Sequence, residues 1–399
     1  MTMKKVERLA EQSDPAPAGA ARTEARIRAV EIRHVQIPLP VAASFSRRQV
    51  TSRDYVLVRV VATDGTEGLG LTYAGNRAGS VVAEAAETLL APVVVGRSTL
   101  LVEGLWEAMY QEALLHGRAG SVMRALSAID IALWDLNARA AGLPLWQYLG
   151  AHAEGSVPCY ASGGYYRPDK SAEDLAAEMG RYADLGFRAV KMKVGMRDLA
   201  EERQRICLAR ERIGPDVRLF LDANNAWSDL FSALPFIRAF EPFVPDWIEE
   251  PFSPDDIESH ARLVQATSIP VATGEIEAGR WRFREILAAR SAHVLQADAL
   301  VCGGVTEWRR ICALASAHGI PVCPHAWHEV HAHLAAAVPN APFVEYFVDK
   351  DIVSTHALFD TEMTVADGRI ELPTTPGLGF AFRGDVLDRH ATGGWRRVS

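Results

Sequence analysis

The chain has 399 residues, of which 49% are hydrophobic and 23% are charged, and its formal net charge is −8 at pH 7. This composition is typical of a globular protein, and the negative charge argues against a general nucleic-acid-binding surface. No apolar run is long enough to span a bilayer, and five cysteines without a CxxC pair indicate thiols in a reducing compartment. Because no apolar signal-peptide core is present, we expect a cytoplasmic protein that binds neither nucleic acid nor membrane.

The first part of the chain predicts a small α+β unit that follows a polar extension. Residues 1–26 contain an Ala- and Pro-rich stretch and predict a flexible N-terminal extension. Alternating apolar residues then predict an antiparallel meander with a turn at Asp64-Gly65. Three helical patterns follow and end at Gly142, a typical helix stop. Residues 27–150 are therefore predicted to form one α+β domain.

After this unit, the pattern changes to short apolar runs that alternate with amphipathic helical stretches. Apolar strands separated by helices are typical of a parallel sheet that is covered on its outer face. We therefore predict a (β/α)8 barrel over residues 151–354. The remaining residues, 355–399, include a predicted hairpin around Asp367-Gly368 and are expected to pack on the first domain. The eight runs begin at Val157, Ala189, Leu219, Asp246, Ile269, Val294, Pro321 and Phe343.

Charged and polar side chains close most of these runs, at the position where a barrel builds its active site. One such residue usually caps a helix or is solvated, but a succession of them indicates a common site. Their separations suit repeated strand-plus-helix units. The residues are Lys193, Asp222, Glu249, Glu275, Asp298, His325 and Glu345.

Three of these residues predict a metal site. Asp222, Glu249 and Glu275 follow neighbouring strands, and their like charges would repel each other without a cation. Carboxylate ligands with room for water and substrate favour one Mg²⁺ ion rather than zinc. Asn224 lies on the same side of its strand as Asp222 and is a candidate substrate ligand. The side chain of Glu250 points to the opposite side of the strand from that of Glu249. Glu250 is therefore expected to support the metal ligands without binding the metal itself.

Two further groups flank the predicted metal site. Lys191 and Lys193 point inward together, and Lys191 and the metal ion are expected to lower the pKa of Lys193, the candidate base. Asp298 is expected to fix the tautomer of His325, which would then serve as a second acid/base group on the opposite side. Glu345 is expected to donate a proton or a hydrogen bond to the substrate, and Lys191 is also expected to contact it.

These motifs resemble those of the enolase superfamily, specifically its mandelate racemase-like subgroup. The resemblance extends from about Ile27 to the C-terminal hairpin. It implies a modified (β/α)8, TIM-like barrel with an α+β capping domain that the N-terminal region and the C-terminal segment build together. The matching motifs are KMK at 191–193, DAN at 222–224, EEP at 249–251, GE at 274–275, Asp298 before GGV at 303–305, and His325 within PHAWHEVHAHL.

The HEVH stretch after His325 departs from this pattern. Its histidines are three residues apart, not four as in the H-E-x-x-H zinc motif. We interpret His328, Glu329 and His331 as helix-face or loop residues, with His328 as a candidate substrate contact.

The resemblance implies a reaction, namely removal of the α-proton of a 2-hydroxy carboxylate to give an enediolate that Mg²⁺ stabilises. Loss of a β-hydroxyl group would then dehydrate an acid sugar, either an aldonate or an aldarate, to a 2-keto-3-deoxy acid. We favour this outcome because the Lys plus His/Asp pattern resembles that of acid-sugar dehydratases. Return of the proton to the same carbon would instead make the protein a racemase or epimerase.

Two alternatives from other classes are less consistent with the residues. A non-catalytic barrel would not need every acid/base position to be filled. A class I aldolase, with Lys193 forming a Schiff base, would not need three carboxylates.

The segment ASFSRRQVTSRDY of the first domain predicts a specificity loop. Arg47, Arg48 and Arg53 make it basic, which suits a polyhydroxy acid or a diacid better than an aromatic substrate. Solvated loop charges are the alternative interpretation of these arginines. The resemblance also implies a symmetric homo-oligomer, commonly an octamer.

Overall fold

The computed structural model describes residues 25–45, 48–352 and 355–399, and two β-sheets organise them. Residues 1–24 of the predicted extension lie outside the described residues. Each sheet corresponds to one predicted unit, with an antiparallel sheet in the first and a mainly parallel sheet in the second. In the described part of the chain, no helix is both long and apolar enough to cross a bilayer.

The sheet of the first domain, the cap, has four strands in the order β13-β1-β2-β3, and all pairs are antiparallel. Alternating apolar residues give it one packed face, as the sequence predicts. The long hairpin of β1 and β2 reaches the second domain, where Ser44 forms a bridge with Tyr166. The strands are β1 (Ile27–Phe45), β2 (Arg48–Ala62), β3 (Glu67–Tyr73) and β13 (Arg396–Val398).

Helix α4 is the central element of the cap, because it packs against the sheet on one side and the barrel on the other. Two glycines of β3 permit its close approach. A Cβ atom at Gly70 would lie 2.0 Å from the carbonyl oxygen of Ala128, and one at Gly68 would lie 2.1 Å from that of Ala132. The helices of the cap are α1 (Gly79–Ala85), a π-helical turn (Ala86–Leu90), α2 (Ala91–Val94), α3 (Val102–Ala113), α4 (Ser121–Ala140) and α5 (Leu145–Tyr148).

The second sheet is the predicted barrel, with one weakened position. Strands β4 to β9 pair in parallel in chain order, and β10 returns to pair in parallel with β4. At the seventh predicted strand, the described residues contain only a bridge between Val322 and Leu295. The strands are β4 (Ser156–Ser162), β5 (Ala189–Lys193), β6 (Arg218–Asp222), β7 (Trp247–Glu249), β8 (Val271–Thr273), β9 (Val294–Leu295) and β10 (Val344–Phe347).

Helices follow the strands and cover the outside of the barrel. Several begin at a side-chain cap, such as Ser171 before α6 and Asp198 before α7. Aromatic rings fill the interior, where Phe220 and Trp247 stack with ring centroids 3.5 Å apart. The helices are α6 (Ala172–Asp184), α7 (Leu199–Ile213), α8 (Leu230–Phe240), α9 (Ile257–Ala266), α10 (Arg280–Ala289), α11 (Ala299–Cys302), α12 (Gly304–Ala317) and α13 (His328–Ala335), with short 3-10 turns at Glu241–Phe243, Lys350–Ile352 and Thr355–Ala357.

The C-terminal segment corrects part of the prediction. The hairpin of β11 (Val365–Ala366) and β12 (Arg369–Glu371) forms as expected, but β12 pairs with β4 and therefore extends the barrel sheet. This pairing buries Ile370 completely, and the burial of this apolar side chain stabilises the hairpin on the barrel. The rest of the segment does contact the cap: Gly377 forms a bridge with Pro144, and Arg139 of α4 donates to the carbonyl oxygen of Phe380. Further along, α14 (Gly384–His390) packs on β1, and β13 pairs with β1.

A buried carboxylate joins the cap to the barrel. Asp130 of α4 accepts hydrogen bonds from the backbone N–H of Thr306 at 2.9 Å and from its hydroxyl at 2.6 Å. Gly304, at the start of α12, makes room for this contact, because a Cβ atom there would lie 2.3 Å from the Asp130 carboxylate. Burial raises the pKa of Asp130 to about 7 against the opposing effect of the Thr306 hydrogen bonds.

We expect Asp130→Ala to lower the free energy of unfolding by about 1–3 kcal/mol, because it leaves buried donors of Thr306 without an acceptor. Urea denaturation of the full chain measures this change. Asp130→Asn is the matched control, since its amide oxygen can still accept a hydrogen bond, and it should cost less. An alanine variant as stable as the parent would contradict the proposed role of this contact.

Candidate active site

The register of the barrel strands brings the predicted site residues together. Lys193 on β5 is the Cα partner of Asp222 on β6, and Asp222 is in turn the partner of Glu249 on β7. Glu275 follows β8 after Gly274, whose φ of 123° turns the chain at the strand end. Neighbouring strands thus end at one level, and their terminal side chains share the mouth of the barrel.

Three carboxylates at this mouth form a cluster that fits a divalent cation. Asp222, Glu249 and Glu275 are buried, and one oxygen of each lies within 4.8 Å of the others. Hard oxygen donors at such spacing suit Mg²⁺. Asn224 lies beside them, and its buried Oδ1 atom has no hydrogen-bond partner among the described residues.

The electrostatics of the cluster also favour a cation. Burial, with the nearby Asp222 carboxylate, raises the pKa of Glu249 to about 8 although Lys191 opposes the shift. Burial and the charge of Glu275 raise the pKa of Glu250 well above its usual range. Both oxygens of Glu250 lack a partner in the described structure. Glu250 is therefore buried close enough to feel the charge of the cluster, and its supporting role stays a prediction.

The two lysines of β5 contact different carboxylates. Nζ of Lys191 lies 2.8 Å from an oxygen of Glu249 and 2.8 Å from an oxygen of Glu345. Nζ of Lys193 lies 2.5 Å from Asp222. Burial lowers the pKa of Lys193 and Lys191 adds to this effect, but the combined influence of Asp222, Tyr165 and Glu249 raises the pKa overall. Lys191 does lower this pKa, as expected, but not enough to depress it in the protein alone, and the depression expected beside a bound metal ion stays a prediction.

His325 faces the cluster from its other end. Its Nδ1 atom lies 2.9 Å from Asp298, and its Nε2 atom lies 3.7 Å from Glu275. Trp327 also donates to the same Asp298 oxygen at 2.9 Å, which fixes the carboxylate. Burial lowers the pKa of His325, but Glu275 and Asp298 raise it well above the usual value. The predicted dyad is present as a hydrogen-bonded pair.

Glu345 differs from its predicted role. It contacts Lys191, and its other oxygen accepts a hydrogen bond from the backbone N–H of Ala326 at 2.8 Å. Burial raises its pKa, but Lys191 and His325 lower it to about 2. Glu345 is therefore an ionised acceptor that holds Lys191 and the loop around His325, which corrects the expectation of a proton or hydrogen-bond donor.

A cavity of about 520 Å³ opens above these groups, between the barrel and the cap. Lys193, Asn224, Glu275 and His325 line it from the barrel. The cap contributes, among others, Gln49, Val50, Arg53, Tyr73, Asn76, Gly120, Ser121 and Arg124.

The predicted cap contacts have different outcomes. Arg53 lines the cavity, whereas Arg47 lies outside the described residues, and of Arg48 only the backbone is described. His328 begins α13 and lines a separate small cavity with Glu329 and Tyr346. His328 is therefore not among the residues that line the main cavity, and its contact with the substrate stays a prediction.

Arg124 and Tyr73 were missed as cavity residues by the sequence analysis. Arg124 lies in the first full turn of α4, where a helix's positive end disfavours a cation. This electrostatically unfavourable position is the sequence feature that could have marked Arg124 as a functional residue. Its guanidinium stacks over the Tyr73 ring at 4.3 Å and donates to the Tyr73 carbonyl oxygen at 2.8 Å.

A buried cluster behind Lys193 was also missed. Glu202 accepts hydrogen bonds from the backbone N–H groups of Gly195, Met196 and Arg197, directly after β5. Arg205 pairs with Glu202 at 2.6 Å and donates to the carbonyl oxygen of Lys193 at 3.1 Å. Hydrogen bonds to Glu202 and from Arg205 therefore hold the backbone at and after Lys193 in place. In the sequence, both residues look like ordinary charges on an amphipathic helix.

Comparison with known families identifies the architecture. Residues 27–150 match the model described as "Mandelate racemase / muconate lactonizing enzyme, N-terminal domain", and residues 174–386 match the one described as "Enolase C-terminal domain-like". The second match alone spans more than half of the chain. The chain belongs to the enolase superfamily, in its mandelate racemase-like subgroup. The two matches correspond to the cap and to the barrel.

Relatives of this superfamily member include enzymes of acid-sugar metabolism. It is 34% identical over 359 residues to a 3,6-anhydro-alpha-L-galactonate cycloisomerase of Streptomyces coelicolor, covering 90% of this chain and 97% of the relative. It is 33% identical over 369 residues to an L-talarate/galactarate dehydratase of Salmonella typhimurium, covering 90% of each. An L-talarate dehydratase of Polaromonas, solved with Mg and L-glucarate, is 32% identical, with a TM-score of 0.83 and coverage of 94% and 99%.

We expect Mg²⁺ to stabilise this superfamily member, because only the folded chain assembles the three carboxylates. At about 100 times its dissociation constant, the ion should raise the free energy of unfolding by about 2.7 kcal/mol. Urea denaturation with and without Mg²⁺ measures the effect, and Glu275→Gln should remove most of it. Glu258→Gln on α9, an exposed residue, is the matched control and should leave it intact. An unchanged Mg²⁺ response in Glu275→Gln would contradict the assignment.

Proposed function

We propose that the protein removes the α-proton of a 2-hydroxy carboxylate with the help of one Mg²⁺ ion and dehydrates an acid sugar to a 2-keto-3-deoxy acid. One observation carries the proposal. Lys193 contacts the carboxylate cluster at Asp222, and His325 approaches it at Glu275, so two acid/base groups stand at opposite ends of one candidate metal site.

Asp222, Glu249 and Glu275 would hold the Mg²⁺ ion. Bound there, the ion supplies positive charge that stabilises the enediolate anion formed when the α-proton leaves. Asn224 lies next to the triad with a buried amide oxygen that has no partner among the described residues, so it is suited to accept a hydrogen bond from a substrate hydroxyl.

Lys193 is proposed as the base. Its Nζ atom must first lose the Asp222 contact that stabilises its ammonium form, and Asp222 offers this contact less strongly once its oxygens bind a cation. The neighbouring Lys191 ammonium then disfavours a second positive charge at Nζ. Lys193 can thus take the α-proton as the C–H bond breaks.

His325 is proposed as the acid. Asp298 holds Nδ1, which leaves Nε2 directed toward Glu275 and the cavity. A proton on Nε2 passes to the β-hydroxyl group as the C–O bond breaks, and water leaves. The resulting enol takes up a proton at carbon 3, loses its hydroxyl proton and becomes the 2-keto-3-deoxy acid.

A second candidate is a racemase or epimerase, which the same opposed placement of Lys193 and His325 favours. Proton removal by one group and return by the other would invert the α-carbon without loss of water. Similar proteins carry several names, among them a racemase of Streptomyces coelicolor solved with bound magnesium, 34% identical with a TM-score of 0.86. Dehydration is preferred because the named dehydratases act on talarate or galactarate, arabinonate and rhamnonate.

The proposal is tested by incubating the protein and Mg²⁺ with mono- and diacid sugars and measuring 2-keto acid formation. Lys193→Met should lower turnover by about 100-fold to 10,000-fold with every substrate, because no other group in this position can take the proton. The variant should still be stabilised by Mg²⁺, which controls for misfolding. Undiminished turnover in Lys193→Met would remove Lys193 as the base.

His325→Asn separates the two steps. We expect it to block 2-keto acid formation while solvent deuterium still enters the α-carbon, because Lys193 can remove and return the proton without the acid. Mass spectrometry of the recovered substrate measures this exchange. Loss of both exchange and dehydration would instead assign proton removal to His325. Inverted substrate with no 2-keto acid, formed by the parent protein, would favour the racemase.

Assembly and location remain predictions. We propose a symmetric homo-oligomer, with an octamer as the expected form, and a cytoplasmic location. Size-exclusion chromatography with light scattering determines the number of subunits.

A further inference from the structure

Helix α4 begins at the cavity without the usual side-chain cap. Its N-cap residue is Gly120, with φ of 66°, so no side chain accepts a hydrogen bond from the first turn. That turn also contains no acidic residue. The helix has twenty residues, and the positive end of its dipole therefore points toward Gly120 and Ser121, which both line the cavity.

Arg124 adds a full positive charge at the same place. Stacking on Tyr73 and donation to its carbonyl oxygen fix the guanidinium. Among the described residues, no carboxylate lies within 4.0 Å of Arg124. A cation at the positive end of a helix is unfavourable, unless a bound anion contacts both the cation and the helix N-terminus. Arg124 still has further N–H groups to offer such an anion, since guanidinium carries five donors.

A second arginine faces the same space. Arg53 lines the cavity from β2, and both charged cap residues that are described as lining it are arginines. The charged residues that line the cavity from the barrel are Lys193, Glu275 and His325. The cavity thus has a candidate metal site at its barrel end and a cationic end in the cap.

We infer that Arg124, Arg53 and the N-terminus of α4 form a second anion subsite, and that the substrate is a diacid sugar with a carboxylate at each end. This inference rests on the proposed function. Arg124 and the acid/base groups line one cavity, so a single substrate can reach both. Tyr73 lies 4.3 Å from the Arg124 guanidinium and 6.1 Å from the His325 ring, so Arg124 lies within about 10 Å of His325.

The subsite recognises a terminal anion, and a phosphate shares this chemistry with a carboxylate. Planar guanidinium groups bind both in bidentate fashion. A sugar acid phosphorylated at its far end is therefore the competing ligand, and the test includes it.

The test uses the full chain with Mg²⁺. For each sugar configuration that the protein turns over, it compares the diacid, the monoacid and the phosphorylated monoacid. We expect kcat/KM for the diacid to exceed that for the monoacid by about 30-fold or more, the usual effect of a desolvated charge pair. Arg124→Met should lower kcat/KM for the diacid by a similar factor, mainly through KM, and change the monoacid value by less than about 3-fold. Arg124→Lys should restore part of the loss.

Arg118→Gln is the matched control. Arg118 is an exposed cap arginine near the start of α4 that does not line the cavity, so its removal makes the same charge change without touching the subsite. It should leave the ratio of diacid to monoacid unchanged. Equal losses for both substrates in Arg124→Met, or a higher kcat/KM for the monoacid in the parent protein, would overturn the diacid assignment. A preference for the phosphorylated monoacid would reassign the subsite to phosphate and overturn it too.

Failure of the proposed function gives a different result. If no acid sugar is turned over, calorimetric titration of the Mg²⁺-loaded protein with diacids still reports on the subsite. Diacid binding that Arg124→Met weakens and Arg118→Gln does not would support the subsite alone. Absence of binding for every diacid would overturn the inference.

Discussion

The site depends on how the barrel tolerates several carboxylates in one small buried volume. Lys191 is the main protein contribution to this balance, because its ammonium lies 2.8 Å from both Glu249 and Glu345 and is almost completely buried. Removing one partner of such a buried pair typically costs about 3–5 kcal/mol, so the lysine fixes the arrangement of its neighbours. It does not neutralise the cluster, since the pKa of Glu249 stays raised by burial and by Asp222. The remaining negative potential is what makes a divalent cation the natural ligand.

The placement of the site residues at strand ends could be predicted, because a barrel repeats the same strand-plus-helix unit along the chain. Lys193, Asp222 and Glu249 each end an apolar run, and strand register alone brings them side by side. The seventh strand is shorter than predicted, since Val322 forms only a bridge there. The hairpin around Gly368 pairs with the barrel sheet and not with the sheet of the cap. A hairpin's own sequence does not say which sheet edge will bury its central apolar residue, here Ile370.

Electrostatic behaviour was less predictable than position. The lowered pKa expected for Lys193 counted Lys191 and a bound metal ion as its neighbouring charges, whereas in the protein alone Asp222 has a larger effect than Lys191 and acts in the opposite direction. Glu345 was expected to donate, but the same Lys191 keeps it ionised. Such outcomes depend on contacts of 2.5–2.8 Å between residues far apart in the chain. Spacing along the sequence carries no information about them.

The loop after Lys193 links the chemistry to the cap. Tyr166 donates from its hydroxyl group to Glu202, the carboxylate that fastens the backbone after Lys193. The backbone of Tyr166 is also bridged to Ser44, near the tip of the β1–β2 hairpin. That hairpin also carries Arg53, one of the two cationic cap residues of the cavity. The hairpin of the cap is therefore linked through Tyr166 and Glu202 to the backbone that follows Lys193.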